Sequence, residues 1–291
     1  MCFNNVLRLN LILLTLLLAF SCSAIAEDSP QKLFDFASSL YDSGDYYGAV
    51  LEYKRLLNYF PSSALAEESS FMIGMGYYSA GKNEDAAKTF DRFVSDHPLS
   101  KKAPDALEKM AQSYYRDEKF DGGIIVLNDH KAKLKAKKLL DLSEYLIGWG
   151  YLGQFKFQES GSVFYYLGTR EGEYKEKAKA LSGDAKVGET LPSKSPVFAG
   201  ILSAVIPGAG QIYSERYYDG LVSLFLNATF IYLAAESNRT ENYSAGVFFS
   251  IIELGWYTGN IYGGVRSADR YNNERKDEFI NGLKVKYRFE F

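Results

Sequence analysis

Between Gln31 and about Gly168, small and bulky apolar residues return every 37 positions. Ala37, Gly74, Ala111 and Gly148 share one register, and Leu40, Tyr77, Tyr114 and Tyr151 share another. Ala49, Ala86, Gly123 and Ser160 follow, each trailed four positions later by Tyr53, Phe90, Leu127 and Phe164. A small residue at a helix crossing permits close approach, and a bulky one a turn later fills the groove beside it. Ser43-Gly44-Asp45 and Ala80-Gly81-Lys82-Asn83 supply turns, and Pro61 and Pro98 close the first two units. The pattern predicts about four helical hairpins over residues 27–168, each burying its apolar face only against its neighbours.

Residues 169–194 are charged and read as a capping helix, ending in the linker Leu191-Pro192-Ser193-Lys194. Three apolar runs follow, Val197–Ile206, Leu221–Ala235 and Ser244–Val265, which predict a hydrophobic helical membrane module over 195–272. Pro207, Gly208 and Gly210 stop the first run as a half-helix and reverse the chain. Residues 273–291 form a charged tail whose last eight, KVKYRFEF, alternate apolar and charged positions and predict a short strand-like segment or an amphipathic end. The expected fold class is all-α: a solenoid of hairpins, then membrane helices.

The first 26 residues read as a secretory signal, with Arg8 before the apolar Leu11–Phe20 and Ala24-Ile25-Ala26 as the cleavage site. Cleavage there removes both cysteines, Cys2 and Cys22, and with them disulfides, thiolate metal sites and cysteine nucleophiles. Cys22 is an alternative lipidation site, disfavoured by Ala19 and Phe20 before it. The net charge of -3 gives no electrostatic case for nucleic acid.

Ile73-Gly74-x-x-Tyr77, Ala86-x-x-x-Phe90 and Pro98 resemble the tetratricopeptide repeat family, as do Ile147-Gly148-x-x-Tyr151 and Ser160-x-x-x-Phe164. Each unit carries about three residues more than that family's usual period. The resemblance implies a concave face from the first helix of each hairpin. Phe34, Ser38, Tyr41, Phe71, Met75, Tyr78, Gln112, Tyr115, Tyr145 and Trp149 would line it as a partner-binding groove. Pro207-Gly208-Ala209-Gly210-Gln211-Ile212-Tyr213 resembles a small bacterial membrane domain of undefined activity with a Pro-Gly-x-Gly-Gln-x-Tyr motif. Some members of that family are fused to tetratricopeptide repeats.

In the module, Gly255-x-x-x-Gly259-x-x-x-Gly263 forms a helical stripe suited to packing on the Leu221–Ala235 helix, with self-association as the alternative. Glu253 at membrane depth needs a neutral state or a partner, and Asn227 is the nearest candidate. Several patterns are decoys. Gly76-x-x-x-x-Gly81-Lys82-Asn83 lacks the Ser or Thr of a phosphate loop. His97 and His130 lack metal-ligand spacing and read as surface residues, and Lys131–Lys138 reads as a solvated helix face. No catalytic constellation, metal site or cofactor motif is present.

Together these features predict a non-enzymatic cell-envelope scaffold with periplasmic repeats that bind a protein or peptide. Its C-terminal helices meet membrane lipid, at the inner membrane first and the outer membrane second. The rival reading is a small membrane component that assists transport or protein insertion through a polar site at Asn227 and Glu253.

Overall fold

In the computed structural model, Ser29 opens the described chain, which covers residues 29–291; the signal segment and both cysteines lie outside it. Ser29 caps α1 (Pro30–Asp42) by accepting the amide of Lys32, with Pro30 at the first helical position. Next come α2 (Tyr46–Tyr59), α3 (Ala66–Ser79), α4 (Asn83–Asp96), α5 (Ala103–Arg116) and α6 (Phe120–Lys133). The series continues with α7 (Lys137–Gly153), α8 (Phe157–Gly168) and α9 (Lys175–Glu189). It ends with α10 (Pro196–Val205), α11 (Ala209–Tyr213), α12 (Tyr217–Arg239) and α13 (Tyr243–Tyr287). The described residues contain no strand, and the all-α class holds.

The 37-residue period reaches the backbone. Gly44, Gly81, Glu118 and Phe155 all take left-handed φ, at +87°, +70°, +56° and +60°, and each turns the chain inside one hairpin. The crossing points are as tight as the small residues require. A Cβ on Gly74 would lie 2.5 Å from the Phe90 ring, and one on Gly148 2.5 Å from the Phe164 ring.

The chain forms two compact units, divided between Leu140 and Asp141. In the first, α1–α6 pack as successive hairpins over a core that includes Tyr53, Leu56, Phe90, Leu107 and Met110. In the second, α8 packs on α9, while α10, α11 and α12 all pack on α13. Asn272 brackets the linker, donating to the Lys194 carbonyl at 2.9 Å and accepting its amide at 2.7 Å.

Three expectations need correction. Of the two forms expected for the KVKYRFEF end, the strand is not formed, because α13 runs on to Tyr287. Ile280, Leu283 and Tyr287 keep helical spacing on its packed side, and extending a formed helix is cheap. The lysine run is not one helix face, since Leu134-Lys135-Ala136 breaks it between α6 and α7. His130 is not on the surface: it is buried, and its Nε2 lies 2.6 Å from Asp91 Oδ1.

Candidate partner-binding site

The concave-face residues divide by burial. Phe34, Tyr41 and Met75 are half-buried, whereas Phe71, Tyr78, Tyr115, Tyr145 and Trp149 are buried. Phe71 lies against Phe90 and Phe93, with centroids 5.7 and 5.6 Å away. Ser38 Oγ is 2.9 Å from the Tyr53 hydroxyl, and Tyr115 packs on Phe120.

The tyrosines of the first two hairpins join repeats. The Tyr41 hydroxyl sits 2.8 Å from Ser79 Oγ, and Tyr78 donates to Gln112 Oε1 at 2.9 Å. Lys109 and Arg116 stand over the Tyr78 ring. Asn83, dismissed above as part of a failed phosphate loop, donates to Asp117 Oδ1 across the same repeat boundary. Tyr41, Tyr78 and Gln112 therefore also serve as joints between hairpins, where the hydroxyls find partners.

Other surfaces remain open. Phe36, Tyr47, Leu51 and Tyr59 are exposed on the first hairpin, a distribution that the repeat register did not single out. A cleft of about 370 Å³ opens between α2, α3 and α4, with Lys54, Tyr77, Lys88 and Arg92 beside Leu57 and Phe93. Lys54 donates to the Tyr77 hydroxyl at 2.7 Å, while Lys88 is held by Glu84, which keeps the Glu84 carboxyl below its usual range. This mixed-charge rim suits a polar peptide more than a single-sign polyanion.

In the second unit, Tyr145 and Trp149 meet the end of the chain itself. Phe289 stacks on Trp149 with centroids 4.3 Å apart and planes 6° apart, and Tyr145 meets the same ring edge-on at 6.0 Å. Tyr145 also stacks on Tyr174 at 4.7 Å. Asp184 on α9 accepts from the Tyr287 hydroxyl at 2.6 Å and from Lys286 at 2.8 Å.

The Pro207–Gly210 corner is built on Asn260, a residue that sequence reasoning missed. Asn260 Oδ1 accepts from the Gly208 amide at 2.8 Å and from Ser223 Oγ at 2.7 Å, and its Nδ2 donates to the Ser203 carbonyl at 2.8 Å. Gln211 bridges back, donating to the Asn260 carbonyl at 3.1 Å and accepting from Ser203 Oγ at 3.0 Å. The Gly210 amide donates to Ser203 Oγ. Gly208 has φ +88°, and a Cβ there would lie 2.0 Å from the Gly220 carbonyl. Pro207 follows the end of α10, and Tyr213 accepts the Ser195 amide.

Two pairings predicted for the module are not made. Gly255 and Gly259 meet nothing within 4 Å where a Cβ would stand, and Gly263 faces Gln211, so the stripe is not the seam with α12. That seam is aromatic, with Phe230 stacked on Trp256 at 6.4 Å. Asn227 donates to the Ser223 carbonyl, and neither its Oδ1 nor the buried carboxylate oxygens of Glu253 have a hydrogen-bond partner. Among the described residues, α12 is the one helix long and apolar enough to cross a membrane, and 11% of its most apolar window is buried. No group of three or more His, Cys, Asp or Glu placed to hold a metal occurs among the described residues.

Comparison with known proteins bears on the repeats. Residues 26–149 match the YfiO family, described as an outer membrane lipoprotein family. Over 74 residues the chain is 31% identical to the outer membrane protein assembly factor BamD of Xylella fastidiosa strain Temecula1 / ATCC 700964, covering 25% of each chain. It is 30% identical over 74 residues to the protein of the same description from strain 9a5c, again covering 25% of each. The matched segment thus spans about a quarter of the length of these curated relatives.

Proposed function

We propose that the chain is a non-enzymatic scaffold of the bacterial cell envelope. Its repeats hold a protein partner, and its C-terminal helices hold the repeats at a membrane. The observation that carries this reading is a pairing within one chain. The helical hairpins are similar to an outer membrane lipoprotein family, and α12 is a 23-residue apolar helix with most of its surface uncovered. At 1.5 Å per residue α12 is about 35 Å long, enough for a hydrocarbon core of about 30 Å. Exposed Leu221, Phe225, Ile231, Val247, Ile251 and Leu254 give α12 and the first half of α13 an apolar exterior, while the polar corner around Asn260 stays internal. Lipid is the economical cover for such a surface.

The relatives' description as outer membrane protein assembly factors supports a partner bound for the outer membrane, and favours the outer over the inner membrane as the place of work. Separation of inner and outer membranes, followed by in-cell crosslinking from Tyr47 and Tyr59, tests the reading. Co-sedimentation with a membrane and crosslinks to envelope proteins support it. A chain released by a high-salt wash, with crosslinks to no protein, overturns it.

A second reading has its own observation. The unpartnered oxygens of Asn227 and Glu253 suit a polar intramembrane site in a transport or insertion component. An envelope phenotype of Glu253→Gln with unchanged membrane localisation would favour it.

A further inference from the structure

We propose that the aromatic pocket of the fourth hairpin is a peptide site. Its ligand is a segment with aromatic residues at alternate positions and a neighbouring cation, and residues 286–291 of this chain fill the site as a removable intramolecular ligand. The proposal rests on the reading of the repeats as protein-binding and names the chemistry of what one hairpin takes.

Residues 288–291 behave as a ligand of α7 and α9 more than as a continuation of α13. At Arg288 the backbone turns left-handed, φ +53°, a conformation that non-glycine residues adopt at a cost. This turn directs Phe289 away from the helix and onto Trp149, where the two rings stack face to face and Phe289 is 7% exposed. Tyr145 closes one side edge-on, and Phe291 packs against Phe289 at 5.6 Å. Asp184 supplies an anionic anchor, taking both Lys286 and Tyr287. Aromatic anchors in a pocket, with a charge-assisted bond at the margin, are how short peptides bind.

The fit is incomplete in an informative way. Trp149 is fully buried, and its indole N–H has no hydrogen-bond acceptor. A buried indole that served only the core would ordinarily have its donor satisfied. The tail fills the volume and leaves the donor unused, so a peptide that also brings a carbonyl to Trp149 Nε1 can displace it. Lys286 and Tyr287 are the last two residues of α13, so displacing residues 286–291 unwinds only the end of its final turn.

The test uses the chain ended after Leu283, in detergent micelles, with Trp256→Phe leaving Trp149 as the single tryptophan of the two in the sequence. Removing the tail should shift Trp149 emission to longer wavelength, and the free peptide KVKYRFEF should reverse the shift saturably. The same peptide should act at least ten-fold more weakly on the chain with its tail, and KVKYRSES should not act at all. A shortened chain that keeps its helical circular dichroism yet ignores KVKYRFEF overturns the proposal. So does one that loses more helical signal than removal of the helical residues 284–287 accounts for, because the tail is then core. Phe289→Ala in the full-length Trp256→Phe chain gives a second reading. Acrylamide quenching of Trp149 should rise at least three-fold with helix content unchanged, and a loss of helix again overturns the proposal. A chain that captures an envelope partner but ignores the peptide refutes the plug while leaving the scaffold standing.

Discussion

Asn260 Oδ1 accepts the backbone amide of Gly208 at 2.8 Å, tying the left-handed corner after α10 to the middle of α13. The same side chain serves Ser203 and Ser223, so one amide satisfies polar groups from three other stretches of chain. Each buried group left unpaired costs about 1–3 kcal/mol. Asn260→Leu should therefore lower stability in micelles by roughly 3–5 kcal/mol, since several groups lose their partner together. Asn227 is equally buried, but its Oδ1 is unpaired and its one bond goes to a carbonyl of its own helix. Asn227→Leu should change stability by less than about 1 kcal/mol, in either direction. Unfolding in mixed micelles with increasing SDS compares the two, and equal losses would refute the role given to Asn260.

Tyr78 reaches Gln112 across the repeat boundary, and its ring is 7% exposed. Tyr78→Phe keeps the ring and removes the bond, so it should cost about 1–2 kcal/mol in urea unfolding. Tyr41, half-buried against Ser79, should lose about 0.5 kcal/mol on the same change. Neither variant should alter which proteins are captured. A changed set of partners with unchanged stability would return these tyrosines to the groove.

The repeats were legible because their signals are steric. Ala37, Gly74, Ala111 and Gly148 recur where backbones cross, and Gly44 and Gly81 where the chain turns. The lining of the face was not legible, because a tyrosine with a polar tip suits a peptide groove and an inter-repeat bond equally well. Ser79 and Gln112, each about one period downstream, were the signal that could have separated the two. Asn260 was hidden because an isolated asparagine in an apolar run has no periodic mate. Its cue was the glycine corner, whose amides need an acceptor inside an apolar module. The tail misled because its last eight residues alternate, while Ile280 and Leu283 had already set a helical period.

Asp117 provides a pH test. The hydrogen bond from Asn83 comes first, with Lys119 adding to it, and together they hold its carboxyl below the usual range. A lowered folded value means that the stabilisation is complete above the unfolded value, near 4, and is lost as pH falls through the folded value. The difference in urea midpoint between the parent chain and Asn83→Ala should be present at pH 7 and pH 5 and shrink towards pH 2. A difference that grew on acidification would mean that the bond does not depend on the carboxylate.

Glu118 occupies, without a glycine's freedom, the position that Gly44 and Gly81 fill in the first two hairpins. A side chain in the left-handed region costs about 1–2 kcal/mol, whereas glycine costs roughly 0.5–1 kcal/mol more entropy on folding than alanine. The two terms oppose each other, and the steric one is larger. Glu118→Gly should therefore stabilise the chain by about 0.5 kcal/mol. Gly44→Ala should do the reverse by a similar amount, because nothing lies within 4 Å of a Cβ at Gly44 and no side-chain contact adds to the two backbone terms. Opposite shifts in urea midpoint would establish the left-handed residue as a structural constant of the 37-residue repeat. Shifts of the same sign would mean that the Glu118 side chain, and not its backbone, decides the turn.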